Sequence, residues 1–117
     1  MRDDELSKQS LDFAVSMISL VKALKAKHES IIANQTGRSG TSIGANIHEA
    51  QYAQSRQDFI SKLQIALKEA SETGYWIELL RKTKYLTEDE YDSLNRACTS
   101  IRLMLIHSVN TAKVGSK

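Results

Sequence analysis

The chain has 117 residues, 41% hydrophobic and 26% charged, with no proline and five glycines, which fits one globular helical domain and excludes a disordered or collagen-like chain. Sixteen Lys and Arg against fourteen Asp and Glu leave a net charge of +2, too little for the domain-wide field of a dedicated nucleic-acid binder. Cys98 is the single cysteine, so neither a disulfide framework nor a Cys-based zinc site is expected, and a reducing cytoplasm fits.

Apolar residues recur at steps of three and four almost throughout, the period of a helix. The N-terminus, MRDDELSKQS, is charged and lacks the apolar core of a signal peptide, and no apolar run approaches the ~18 residues that span a membrane. A first helix is expected over about residues 4–27, with Leu6, Ser10, Phe13, Met17, Leu20 and Leu24 as its inward stripe. Asp3, Asp4 and Glu5 at its start and Lys22, Lys25 and Lys27 at its end suit the helix dipole.

A second helix is expected over about 30–53, and it holds an odd stretch, RSGTSIGANIHEA. Gln35, Ser39, Ser42, Asn46 and Glu49 fall on one polar stripe, while Ile32, Thr36, Ile43, Ile47 and Ala50 form an apolar one beside it. Gly40 and Gly44 share a third line; each costs the helix up to about 1 kcal/mol relative to Ala, and close approach of a neighbouring helix is the usual reason. The polar stripe has two readings, a solvated face or a packed seam of hydroxyls and amides. The seam reading expects Ser42, Asn46 and Glu49 to meet Glu69, Glu72 or Thr73 of the third helix, with Arg38 neutralising the carboxylates.

Ser55 reads as an N-cap with Asp58 as its capping partner, opening a third helix over about 56–84 with the stripe Phe59, Leu63, Ala66, Ala70, Thr73, Ile77 and Leu80. Thr87 and Glu90 form a capping box for a fourth helix over about 88–113, with Tyr91, Leu94, Cys98, Ile101, Leu105 and Ser108 inward. The terminal VGSK is expected to fray. Short joints force antiparallel neighbours, so the expected fold is all-α, an antiparallel up-down-up-down four-helix bundle forming one domain over residues 1–117. The competing arrangement is a longer coiled-coil hairpin that closes only on dimerisation.

Arg38, Ser39, Ser42, Ile43, Asn46, Ile47 and Glu49, followed by Phe59, Leu63, Ala66, Glu69, Glu72, Thr73 and Trp76, make the two central helices similar to the four-helix-bundle proteins called 23S rRNA intervening-sequence proteins. These are small bacterial proteins often encoded within insertions in large-subunit rRNA genes. The resemblance implies the same bundle, assembled as a homopentameric ring; the central-helix pattern and an excess of apolar surface motivate its reading as a non-enzymatic scaffold or adaptor in a nucleic-acid or protein complex. That family resembles in turn the accessory protein of bacteriophage diversity-generating retroelements, a pentameric bundle that binds nucleic acid and a reverse transcriptase. The near-neutral charge here departs from the markedly basic character of that protein.

Independently of resemblance, helix one is apolar around more than half its circumference, and Leu103 and Ile106 lie outside the main stripe of helix four. A bundle helix needs only a ~100° stripe, so the excess suggests self-association. Arg56, Lys62, Lys68, Arg81, Lys82 and Lys84 give the third helix a basic excess that either offsets its dipole or contacts phosphates of RNA or DNA. Tyr75, Trp76 and Tyr85 nearby are core, interface or base-stacking residues. A protein partner is equally compatible with an adaptor.

For catalysis, HEAQY at His48 lacks the second His of a zinc-protease helix, and His28, His48 and His107 show no ligand spacing. Glu49, Glu69 and Glu72 lack the Glu-x-x-His pairs of di-iron bundles, so no metal or cofactor is expected. The alternative enzyme reading is RLMLIH, where Arg102 and His107 resemble the ribonuclease motif of the HEPN superfamily, His as general acid/base and Arg as transition-state stabiliser. Leu103 stands where that motif usually has a polar residue.

Overall fold

The computed structural model describes residues 4–115. It contains four helices, α1 (Asp4–Ala26), α2 (Ile31–Ala50), α3 (Arg56–Lys82) and α4 (Glu88–Gly115), and no strand among the described residues. They form an elongated bundle of 50 × 22 × 19 Å. The acidic start assigned to Asp3, the side chain of Asp4 and the final Ser116 and Lys117 lie outside the described residues.

Cross-helix contacts fix the directions. Ser7, Ser10, Met17 and Val21 of α1 meet Gln51, Gly44, Gly40 and Gly37 of α2 in reverse order. Ser39 and Glu49 of α2 meet Thr73 and Lys62 of α3, and Arg56 and Ala70 of α3 meet Ala112 and Cys98 of α4. Consecutive helices therefore run antiparallel, and Gln9 to Ser100 (2.9 Å) closes α1 against α4. The diagonal pairs α1–α3 and α2–α4 stay apart, and α1–α4 is the most open of the four seams.

The starts of α2, α3 and α4 have local causes. Ser55 Oγ accepts from the Asp58 amide (3.0 Å), and Thr87 and Glu90 exchange both bonds of a capping box (3.1 and 2.8 Å). Ser30 makes no side-chain cap; Glu29 replaces it, its carboxylate accepting from the Ala33 amide at 2.9 Å. The α1 and α3 ends are Schellman turns: Glu29 and His28 amides reach back to Leu24 and Lys25 carbonyls, and Tyr85 and Lys84 amides to Leu80 and Arg81. His28 and Lys84 therefore sit at φ 68°, a left-handed conformation usually given to glycine.

The core runs the length of the bundle, with Leu6, Met17, Ile43, Leu63, Ile77, Ile101 and Leu105 at 0–1% exposure. Some details differ from the sequence pattern: α2 ends at Ala50 and α3 at Lys82, short of the expected 53 and 84, because the chain turns after each. Ile60 is buried where Phe59 is only partly so, and Val109 is buried where Ser108 is half-exposed, because a straight helix drifts relative to any fixed three-four repeat. The helix of α4 continues through Val114 to Gly115 instead of fraying, and Arg56 donates to the Ala112 carbonyl near its end (3.3 Å).

Candidate functional site

The small residues of α2 let α1 and α3 approach on two sides. A Cβ on Gly40 would lie 2.4 Å from Met17 Cγ, while one on Gly44 would meet the Ser10 carbonyl at 3.4 Å. On the α3 side, Ser39 and Thr73 are fully buried with their hydroxyl oxygens 2.8 Å apart. Thr73 Oγ1 is also 2.8 Å from the Glu69 carbonyl. With one proton on each hydroxyl, the pair is satisfied when Thr73 donates to Glu69 and Ser39 donates to Thr73.

Around this buried contact lies a half-exposed ionic cluster. Arg38 pairs with Glu69 at 3.3 Å and with Glu72, whose carboxylate also accepts from Trp76 Nε1 at 3.0 Å. Arg38 leaves 48% of its side chain in water, so these pairs orient the seam more than they stabilise it. Ser42 and Asn46 turn back on their own helix, the hydroxyl donating to the Arg38 carbonyl (2.7 Å) and the amide to the Ser42 carbonyl (2.9 Å). Glu49 reaches α3 well away from the cluster, pairing at 3.3 Å with Lys62, about two helical turns before Glu69. The stripe is thus part buried seam, part solvated face.

The basic residues of α3 do not converge. Arg56 and Arg81 lie near opposite ends of a helix about 40 Å long. Lys62 serves Glu49, Lys82 lies 3.8 Å from Glu78, and Arg56 holds the α4 end. Arg81 is enclosed by a clip that periodicity does not reveal: it stacks 4.7 Å above the Tyr91 ring and pairs with Glu78 (2.6 Å) and Glu88 (3.5 Å). Its hydrogen bond holds the Glu78 carboxyl below the usual carboxylate range, helped by the Tyr91 hydroxyl, and Glu78 in turn raises Tyr91. Lys68 and Lys84 are exposed and make no ion pair among the described residues.

Tyr75 is exposed and edge-on to Trp76 (5.1 Å), and Tyr85 packs partly into the core. Arg102 is half-buried and His107 exposed; five residues apart, they diverge by about 140° around α4. Burial pushes the Cys98 thiol up to about 11, leaving it protonated and inert at neutral pH. Among the described residues no group of three His, Cys, Asp or Glu side chains is placed to hold a metal ion, and no helix is long and apolar enough to cross a membrane.

The broadest apolar exposure lies on α1. Leu11, Val15 and Ile18, at spacings of four and three, are 66%, 61% and 48% exposed, although the opposite side of the same helix is fully buried. Leu11 and Ala14 border a groove shared with Thr41, Gly44, Ala45 and His48 of α2. On α4, Leu103 and Ile106, three residues apart, are exposed at 58% and 40%, and Val114 near the helix end is exposed as well.

The two central helices, with Arg38, Ser39 and Thr73 at their contact, are the part of the fold with the most individual pattern. The model of the 23S rRNA-intervening sequence protein family matches residues 2–107. The chain belongs to that family. The bundle is also similar to the crystal structure of a protein of unknown function from the S23 ribosomal protein family of Bacteroides thetaiotaomicron VPI-5482, at 51% identity and a TM-score of 0.88. The match covers 89% of this chain and 97% of that one. No curated protein matches the chain.

Proposed function

We propose that this 23S rRNA-intervening sequence protein is a non-enzymatic, self-associating bundle that serves as a cytoplasmic scaffold or adaptor in a nucleic-acid or protein complex. The observation that carries this reading is the α1 ridge of Leu11, Val15 and Ile18, exposed on a helix whose other face already completes the core. Burying such a side chain is worth up to about 1.5–3 kcal/mol, so a second copy is the natural cover. The homopentamer that the family resemblance implies is the assembly proposed.

Nucleic-acid contact, in this reading, comes from repetition. One copy offers Lys68 and Lys84 free of ion pairs, and a ring multiplies a weak patch by avidity. The ribonuclease alternative gains no support from one chain, where Arg102 and His107 point apart. Sedimentation of the full chain with a short RNA tests the reading. An assembled species with intact RNA is expected. Cleaved RNA that becomes intact with His107→Ala would overturn the non-enzymatic assignment, and a sedimenting monomer would overturn the scaffold.

A further inference from the structure

The seam between α1 and α4 is lined by small residues on both sides. Two adjoining concavities of about 260 and 480 Å³ share Ser16, Ser93 and Leu94. Together they run from Gln9 to Ala23 along α1, about 21 Å at the helical rise. Their floor is apolar, Phe13, Leu20, Leu94 and Ile101. The charged side chains in the lining are all acidic: Asp12, which pairs with Lys8, Glu90, which caps Thr87, and Asp89, exposed with no ion pair among the described residues.

The α1 ridge continues at the same spacing into Lys22 and Lys25, so Leu11, Val15, Ile18, Lys22 and Lys25 form one exposed stripe, apolar below and basic above. Neither lysine makes an ion pair among the described residues. Lys25 lies in the last turn of α1, where the helix dipole favours a cation; Lys22 stands a turn earlier, beyond that effect.

We infer that the α1–α4 seam is the socket for the α1 ridge of a second copy of this chain, an inference that rests on the self-association reading above. The match is one of height as well as character. Within one chain, Ser19, Leu20 and Ala23 share the upper concavity with Leu86 and Asp89, while Asp12 and Phe13 share the lower one with Ala97 and Ile101. In a ring whose axis runs parallel to the bundles, neighbours stand parallel and unshifted. Leu11, Val15 and Ile18 then face the Phe13–Leu94 floor, and Lys22 and Lys25 reach the Asp89 end. Ridge and socket occupy different faces, the ridge beside the α1–α2 groove and the socket at α1–α4. Such a contact is head-to-tail, so each copy turns the same way relative to the last, the arrangement from which rings are built.

The test is solution mass of the full chain and two exposed-site variants. Val15→Glu charges the ridge while improving helix propensity, and Ser93→Trp fills the socket; circular dichroism verifies that both stay helical. Each alone is expected to run as a monomer, and a 1:1 mixture to run at twice the monomer mass, because one intact ridge still meets one intact socket. As a second variant pair, Lys22→Asp should weaken assembly and Asp89→Lys in the same chain should restore it. A wild-type monomer would overturn self-association itself. An assembled wild type whose single variants remain assembled, or whose variants are monomers that fail to pair on mixing, would overturn the socket and leave self-association standing.

Discussion

Ser39 and Thr73 meet 2.8 Å apart between α2 and α3, both without solvent access. Removing Thr73 Oγ1 leaves the Ser39 hydroxyl with only a 3.5 Å approach to the Thr36 carbonyl. Thr73→Val, which keeps the volume, should therefore cost about 1–2 kcal/mol in urea unfolding. Ser39→Ala combined with Thr73→Val should cost less than the sum of the singles, since no unpaired hydroxyl remains. Additive losses would show that the two hydroxyls are not coupled.

Gly40 and Gly74 should respond to alanine in opposite directions. At Gly40 the new methyl runs into the buried Met17 side chain, and overpacking should leave a net loss of about 1–2 kcal/mol despite better helix propensity. A Cβ on Gly74 meets nothing within 4 Å, and nothing in the structure explains a glycine there. Gly74→Ala should gain about 0.5–1 kcal/mol. Chemical denaturation of the two variants side by side decides the matter.

The left-handed turns at His28 and Lys84 are an untapped source of stability. Both residues hold φ at 68° to complete a Schellman turn, a conformation that costs a residue with a Cβ roughly 1 kcal/mol. Lys84→Gly should raise the melting temperature, and His28→Gly should do the same. A fall in both would mean that these side chains contribute more than their backbone costs.

The Glu78 clip gives stability a definite pH dependence. Arg81 and then Tyr91 hold the Glu78 carboxyl low, so its contribution is present above the ordinary carboxylate value near pH 4 and is lost as pH falls through the lowered one. Tyr91 is raised, chiefly by the Glu78 hydrogen bond. Its neutral form is the one favoured in the fold, so that contribution is present below about pH 10 and lost as pH rises through the raised value. Glu78→Gln should lower Tm at neutral pH and flatten both limbs. An unchanged profile from pH 2 to 11 would exclude the clip.

Much of the fold is legible in the sequence, because helix starts and faces are local properties. Ser55–Asp58 and Thr87–Glu90 announce their helices through bonds three residues long, and the spacing of Leu63, Ala66, Ala70, Thr73 and Ile77 puts them inward as a set. The α2 start is less legible: Ser30 has the right chemistry, but the Schellman turn before it hands the cap to Glu29. The polar stripe shows the same limit. Periodicity places Ser39, Ser42 and Asn46 on one face, yet whether a short side chain bonds across the seam or back to its own carbonyl depends on how near the neighbour lies. Only Ser39, opposite Thr73, crosses. Asn46→Ala should consequently stay within about 0.5 kcal/mol of wild type. Arg81 escapes pattern reading altogether, since Tyr91 and Glu88 join it only after the turn at Lys84 folds back.

The mass of the wild-type chain in solution tests self-association most directly. Light scattering at micromolar concentration, in low and in high salt, should return a fixed multiple of 13.1 kDa that persists in high salt, because an apolar ridge holds the copies together. A mass of 13.1 kDa in both conditions would contradict it.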